Sequence, residues 1–294
     1  MGKNSLFLLV SLLLLVAGPV RGQLPPGSWE LIHADRSKVF YGAPETRVLF
    51  QGNVLFANGE ERYQADRVVY LEKSGLITME GHILIIRDGY EIQAETLLFY
   101  SREGVTELEG DVRVKGETMS VSSRKALIRE DGEMNFMEDV IFESGSYVGL
   151  ADTMTVGDSQ RSVSLGGIPY LAMEGRYIGG DEMIITLEEG SRITSLVITG
   201  HGDMMWTGEE QTIHLRSRDL SLFFEEENRL DLIRARGDVR GSLETGENVN
   251  HFHGQSMDVR FSGHEPEEIL LTGEAGGSVT GLTAGEKEEN HVRD

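Results

Sequence analysis

The stretch Gln64–Gly81, QADRVVYLEKSGLITMEG, has the pattern of two short strands joined by a polar turn, and copies of it recur along most of the chain. A repeat decides the fold, because a single unit of this kind cannot bury its apolar face alone. We align the copies on the acidic residue of the Ala-Asp pair or on the residue that replaces it. The first six of these anchors lie 28 to 31 residues apart, and the last two steps are 37 residues each. The eight anchors are Asp35, Asp66, Glu95, Arg124, Asp152, Asp181, Arg218 and Gln255.

Apolar and polar side chains alternate after each anchor. The residue directly after the anchor is polar in all eight copies, whereas the residues two and four positions on are apolar everywhere except at Ser37. A period of two is typical of a strand with one buried face, while a helix would need apolar residues three and four apart. Each copy therefore begins with a half-buried strand.

The second strand of each copy often carries a glycine in the motif Gly-x-Val, as in Gly110-Asp111-Val112. Apolar residues keep the same parity on both sides of this glycine, for example Met79 and Ile83. Because a glycine inside a strand commonly marks a bend, we predict that the strand turns a corner and keeps one face inward. Turn sequences such as Glu72–Gly75 indicate that consecutive strands run antiparallel.

These patterns predict an all-β protein of about sixteen antiparallel strands. The strands would form one elongated, repeat-built sheet, folded over so that its apolar faces meet in a continuous interior. We assign the repeat domain to residues 33–282, a signal peptide to 1–22, a leader to 23–32 and a disordered acidic tail to 283–294.

The first 22 residues are typical of a secretory signal peptide, with Lys3, an apolar run from Leu6 to Ala17 and a breaker at Pro19. An uncleaved anchor is the alternative, although the run is shorter than the roughly 20 residues of a membrane span. The chain has no cysteine, which excludes a disulfide framework and a thiolate site. Export without cysteine favours the periplasm of a bacterial envelope, with association to the inner or outer membrane left open.

The remaining residues favour neither an enzyme nor a nucleic-acid-binding protein. The formal charge of −22 argues against nucleic acid as a partner. No nucleophile elbow, phosphate loop or His-Glu-x-x-His motif is present. His251 and His253 share a strand face without an evident third ligand, so we interpret them as a surface pair and Trp206 as a core or rim residue. We predict no catalytic residues, no metal and no cofactor.

The recurring motifs resemble the OstA-like repeat of lipopolysaccharide-transport proteins, the family of LptA, LptC and the LptD N-terminal domain. The resemblance covers about residues 33–282 and is strongest from 47 to 157. The residues that carry it are Gln64-Ala65-Asp66, Tyr70, Gly81-His82-Ile83, Gln93-Ala94-Glu95, Gly110-Asp111-Val112, Ala151-Asp152 and Gly237-Asp238-Val239.

This resemblance implies a folded β-jellyroll that holds the acyl chains of lipopolysaccharide or a related glycolipid. It also implies head-to-tail self-association and contact with other lipopolysaccharide-transport proteins at the inner and outer membranes. The resulting prediction is a periplasmic carrier or bridge that passes lipid toward the outer membrane. The predicted lipid-binding inner face consists of Phe50, Val54, Phe56, Val68, Tyr70, Met79, Ile83, Ile85, Leu97, Phe99, Val112, Val114, Phe136, Val140, Phe142, Met154, Val156, Met183, Ile185, Leu220 and Leu222.

A function of a different class fits the same pattern. The inner side chains could pack only against one another, which residue types alone favour, and the chain would then be a non-enzymatic structural or adhesive β-repeat envelope protein with a solid core. Phenylalanine and methionine, which can adapt to acyl chains, are compatible with both hypotheses.

Overall fold

The computed structural model describes residues 29–42, 44–87, 89–117, 119–145, 147–157, 161–173, 175–188, 192–208, 210–225, 229–246, 248–262 and 265–281. The predicted signal peptide and the predicted acidic tail lie outside these residues. All regular secondary structure within them is β-strand, and every strand pair whose register is defined is antiparallel. The predicted all-β antiparallel class is therefore confirmed.

The described residues form twenty strands. The strands are β1 (Glu30–His33), β2 (Arg36–Phe40), β3 (Arg47–Asn58), β4 (Glu61–Leu71), β5 (Leu76–Arg87), β6 (Tyr90–Tyr100), β7 (Val105–Lys115), β8 (Met119–Arg129), β9 (Met134–Ser144), β10 (Tyr147–Val156), β11 (Ser162–Gly166), β12 (Tyr170–Met173), β13 (Arg176–Gly179), β14 (Glu182–Glu188), β15 (Arg192–Thr207), β16 (Gln211–Phe224), β17 (Leu230–Thr245), β18 (Asn248–Ser262), β19 (Glu265–Thr272) and β20 (Gly276–Gly281). Strand β1 begins inside the segment 23–32 that the sequence assigns to a leader.

The difference from the predicted sixteen strands has a simple origin. Four predicted strands are each divided in two at their corner, giving the pairs β1 and β2, β11 and β12, β13 and β14, and β19 and β20. The two halves lie along a shared neighbour in each case: β1 and β2 both pair with β3, for example, and β19 and β20 both pair with β18. Joining the halves restores the sixteen strands that the repeat predicts.

The corners are β-bulges at the predicted bends. In the pair β4 and β5, Gln64 faces Leu84 and Arg67 faces Glu80, so that β5 carries one extra residue at the corner. Gly81 and His82 supply it with φ values of +76° and +44°, in the left-handed region that glycine adopts most easily. The same shift recurs in the other continuous pairs, for example at Gln51/Val54 and Arg236/Val239.

Each anchor lies at a corner, which explains the repeat motif. The anchor side chain covers the corner glycine of the next strand, and the residue before it is small because it sits inside the bend, as at Ala65 and Ser217. Glu138 and Asp139 take the left-handed conformation without a glycine. The anchor and glycine pairs are Asp35 with Gly52, Asp66 with Gly81, Glu95 with Gly110, Asp152 with Gly167, Asp181 with Gly200, Arg218 with Gly237, and Gln255 with Gly273.

The corners fold each strand back so that its two halves, which we call the first and second arms, face one another. On a strand that carries an anchor, the residues after the anchor belong to the first arm and the residues before it belong to the second arm. On a strand that carries the corner glycine, each residue belongs to the same arm as the residue it pairs with on the neighbouring strand. Phe50 and Phe56 belong to the same strand, where six residues span about 20 Å if extended, yet their ring centroids lie 5.4 Å apart. The predicted fold-over is therefore present.

The chain divides into two compact units, residues 1–138 and 139–294. We call them unit 1 and unit 2, and each has its own buried inner face. The boundary lies within β9, at the corner that Glu138 and Asp139 form without a glycine. The sequence pattern predicts one repeat domain and no boundary at this position.

Candidate functional site

The predicted inner face is buried in both units. All of its residues are buried except Tyr70 and Phe99, which are partly exposed. The alternation therefore identified the inward side of every strand on which a site residue was predicted. Contact of these side chains with lipid stays a prediction.

Exposure in unit 1 rises from the corner toward the free edge of the first arm. Beside the corner, the paired residues Val68, Met79, Leu97 and Leu108 are at most 2 % exposed. The next inward row toward the edge is partly exposed from β4 to β8, whereas Val48 of β3, which pairs with Tyr70, is buried. This lip row consists of the directly paired residues Tyr70, Ile77, Phe99, Thr106 and Ile128.

The lip row is mostly apolar and faces the interior, because it has the parity of the buried row beside it. Burial is the main cause that raises the pKa of Tyr70, with a smaller contribution from Glu72. The opposite arm differs, since its corresponding row, Ile85, Ile92, Val114 and Val121, is buried. The first-arm edge is therefore where the inner face of unit 1 meets solvent.

Three aromatic rings pack together near the second-arm edge of unit 1. The Trp29 ring lies 4.4 Å from that of Tyr63 and 6.3 Å from that of Phe56, measured between centroids. Trp29 lies in the segment that the sequence assigns to a leader, and the prediction of the inner face missed it. The prediction missed Trp29 because this residue comes just before β1 and lies outside the alternating pattern.

Unit 2 is packed more tightly than unit 1. In the row that corresponds to the lip row, Val163, Ile185, Leu196, Leu222 and Ile233 are each at most 4 % exposed, and only Ile269, on the edge strand β19, is exposed among the residues paired along it. The Trp206 ring, on the second arm, reaches Phe224 and Phe261 on the first arm, with centroids 6.5 Å apart in both cases. Trp206 therefore lies in the core, one of the two positions, core or rim, that the sequence left open, and joins the two arms.

Arg176 is the unexpected residue of this inner face. It precedes Tyr177 and Ile178 on β13 and shares the inward parity of Ile178, which is buried. Its guanidinium carbon lies 4.2 Å from the centroid of the Trp206 ring, and its Nε donates a hydrogen bond of 3.0 Å to the Thr207 carbonyl. Desolvation by burial lowers the pKa of Arg176. Sequence reasoning missed it, because a lone arginine on a short strand carries no motif.

Charged side chains at the corners interact on the outer surface. The Nδ1 atom of His82 lies 2.7 Å from Asp66 Oδ2, and this hydrogen bond, followed by the charge of Asp66, raises the pKa of His82. His201 and Asp181 repeat the arrangement at 2.9 Å. Anchor residues that carry the family resemblance thus serve the fold of the corner.

The described residues hold no cluster of three or more histidine, cysteine or acidic side chains that could bind a metal ion. His251 and His253 are both exposed on β18, on a strand face as the sequence predicts. Within the same residues, no helix is long and apolar enough to cross a membrane.

Comparison with known proteins places this architecture in a family. The profile of the LptA/(LptD N-terminal domain) LPS transport protein family matches residues 31–191. The crystal structure of LptH, the LptA homologous periplasmic component of the lipopolysaccharide transport device of Pseudomonas aeruginosa, is 16% identical, with a TM-score of 0.32 over 33% of this chain and 75% of that chain. No curated protein matches the chain. Because the matched residues make up more than half of the 294-residue sequence, the chain belongs to the LptA/(LptD N-terminal domain) family of LPS transport proteins.

Proposed function

We propose that this protein carries lipopolysaccharide or a related glycolipid through the periplasm, with the acyl chains held between the two arms of the folded sheet. The observation that carries the proposal is the lip row of unit 1. It is a line of inward-facing, partly exposed and mostly apolar residues at the open edge of an otherwise buried apolar face. Family membership supplies the class of cargo.

The lip row offers acyl chains a way in. The row of residues beside the corner is at most 2 % exposed, so a chain would have to spread the arms apart to lie deeper. Met79 and Phe99 can adapt to such a chain, because methionine is flexible and an aromatic ring can rotate against a methylene chain. Each methylene group that leaves water contributes about 0.8 kcal/mol, so a longer acyl chain gains more from entering the edge.

We further propose that copies associate head to tail and join partner transport proteins at both membranes. Among the described strands, β1 and β2 pair with β3 alone, and β19 and β20 with β18 alone. Unpaired strand edges are templates for another chain. Exposed apolar side chains lie on or directly after these edge strands, including Phe40, Tyr41 and Leu270.

Site-specific photo-crosslinking tests the location of the lipid. A photoreactive amino acid at Phe99 should capture lipopolysaccharide in cells or from a lipid extract. The same amino acid at Leu98, the neighbouring residue on the outer face, is the matched control. Equal capture at both positions, or capture at Leu98 alone, would reject the proposal.

The second candidate function, a structural or adhesive envelope protein with a solid core, draws its support from the packing of unit 2. Leu196, Ile198, Met204, Leu220 and Leu222 are fully buried, as expected of a solid core. If the whole chain were a structural or adhesive envelope protein, no lipid would co-purify with it. Mass spectrometry of the protein from a lipopolysaccharide-producing host separates the two functions.

A further inference from the structure

Three hydrogen-bond donors lie near the end of the second arm of unit 2. Besides Arg176, these are the Tyr147 hydroxyl and the Trp206 Nε1 group. Tyr147 has the inward parity of Gly149 and Ala151 on β10; burial raises the pKa of its hydroxyl, and the positive charge of Arg176 partly opposes this. Trp206 lies beside Arg176, because Tyr177 of β13 is opposite Met205 of β15.

These donors lack acceptors within the described part of the chain. Trp206 Nε1 is buried and has no hydrogen-bond partner there. The terminal nitrogens of Arg176 and the Tyr147 hydroxyl also make no hydrogen bond or ion pair with a described residue; the one bond of Arg176 runs from Nε to Thr207. Of the three groups only Trp206 Nε1 is buried, and a buried donor without a partner calls for an explanation, whereas the partly exposed Arg176 and Tyr147 can donate to water.

Unit 1 shows what an ordinary edge arginine does in this fold. Arg87, at the end of β5, forms an ion pair of 3.1 Å with Glu61. Arg176 differs from Arg87, because it forms no ion pair with a described carboxylate. Arg176 has an aromatic ring on one side instead, which holds the guanidinium plane in place and leaves its outer nitrogens available.

We propose that Arg176, Tyr147 and Trp206 bind the phosphate-bearing head of an acylated amphiphile whose chains enter the interior of unit 2. This assignment rests on the proposed lipid-carrying function. The guanidinium would donate to phosphate oxygens in the paired geometry that arginine favours. The Tyr147 hydroxyl would add a second donor, and the buried Trp206 N–H would serve an ester or amide carbonyl where the chain begins.

The site explains how one face can hold both parts of such a molecule. The apolar residues next to Trp206, including Phe224 and Phe261, would contact the chain. Arg176 and Tyr147 are partly exposed at the edge of the arm, where an anionic head would remain near water, and the buried Trp206 lies behind them. An apolar edge would not distinguish an anionic amphiphile from a neutral one.

Binding of defined amphiphiles tests the assignment on the full chain. Decyl phosphate and decyl maltoside, both used below their micelle concentrations, share an alkyl chain and differ in head group. Arg176→Gln should weaken decyl phosphate binding about tenfold, the effect of losing one charge-assisted pair, and leave decyl maltoside binding unchanged. Tyr147→Phe, which removes only the hydroxyl, should weaken decyl phosphate binding by a smaller factor. Arg87→Gln is the matched control and should change neither affinity.

Each result decides a different point. If both amphiphiles bind and Arg176→Gln and Tyr147→Phe leave their ratio unchanged, the assignment is wrong while the lipid-carrying function survives. If neither amphiphile binds the wild-type chain, the lipid-carrying function fails as well. Inorganic phosphate that binds as tightly as decyl phosphate would reject a lipid head group in favour of a free anion site.

Discussion

The carboxylate of Asp66 lies directly over Gly81, in the space that a β-carbon at Gly81 would occupy. The two residues come from neighbouring strands and form the corner of β4 and β5. Because the same contact recurs at most corners, it accounts for the spacing between the anchor and the glycine in the repeat.

Replacing Gly81 should therefore destabilise the fold more than replacing another glycine of the same conformation. Gly89 has a φ of +80°, close to the +76° of Gly81, but nothing lies within 4 Å of a β-carbon placed there. Both alanine variants should lose about 1–2 kcal/mol from the left-handed backbone, and Gly81→Ala should lose more because its methyl group meets Asp66. Urea unfolding measures the difference.

A double-mutant cycle isolates the contact. In an Asp66→Ala background, the effect of Gly81→Ala on the free energy of unfolding should fall to that of Gly89→Ala. An unchanged effect would show that Asp66 does not restrict Gly81.

Neighbouring leucines test the direction of the strand faces. Leu97 is 2 % exposed on the inner face, and Leu98 is partly exposed on the outer face. We expect Leu97→Ala to lower the free energy of unfolding by about 2–5 kcal/mol and Leu98→Ala by about 1 kcal/mol or less. Similar losses at the two positions would contradict the assigned faces.

The corner of His82 should make stability weakly dependent on pH. Its folded-state pKa is raised above the ordinary 6.5, first by the hydrogen bond to Asp66 and then by the charge of Asp66. The stabilisation is therefore fully present below the unfolded pKa and is lost as pH rises through the higher folded pKa. His82→Gln should remove this part of the pH dependence of the unfolding free energy.

NMR titration checks the cause directly. The pKa of His82 should lie above 6.5 in the wild-type chain and move down in Asp66→Asn. A His82 pKa that does not respond to this substitution would disprove the interaction.

Self-association should depend on the edge strands. Leu270, on edge strand β19, is 56% exposed, and Ile86, on the internal strand β5, is 47% exposed. Since lysine on an edge strand opposes strand addition, Leu270→Lys should shift sedimentation toward monomer, whereas Ile86→Lys should not. A wild-type chain that stays monomeric at high concentration would contradict head-to-tail assembly.

Much of the fold follows from sequence periodicity, because strand faces alternate strictly and corner residues are chemically constrained. All eight anchors lie at corners, although the Gly-x-Val search missed Gly167, Gly200 and Gly273, which have no valine or isoleucine two positions later. The division of four strands at their corners depends on local hydrogen bonding that no pattern of apolar residues encodes.

The candidate site was less predictable. Alternation places Tyr70 and Phe99 on the inner face, but their partial exposure depends on how far the other arm reaches. Arg176 and Trp206 come together through the pairing of β13 with β15, which are separated in sequence by β14. A single arginine followed 30 residues later by a tryptophan has no recognisable spacing.

Fluorescence quenching by lipid with brominated acyl chains tests the central claim, because quenching requires contact between the bromine atoms and a tryptophan. The chain has two tryptophans, and Trp29 lies against the inner residues Phe56 and Tyr63 of unit 1. In a Trp206→Phe variant, lipopolysaccharide with brominated acyl chains should quench Trp29, and the unbrominated lipid should not. If the brominated lipid binds at saturation and leaves Trp29 fluorescence unchanged, the acyl chains do not lie between the arms of unit 1.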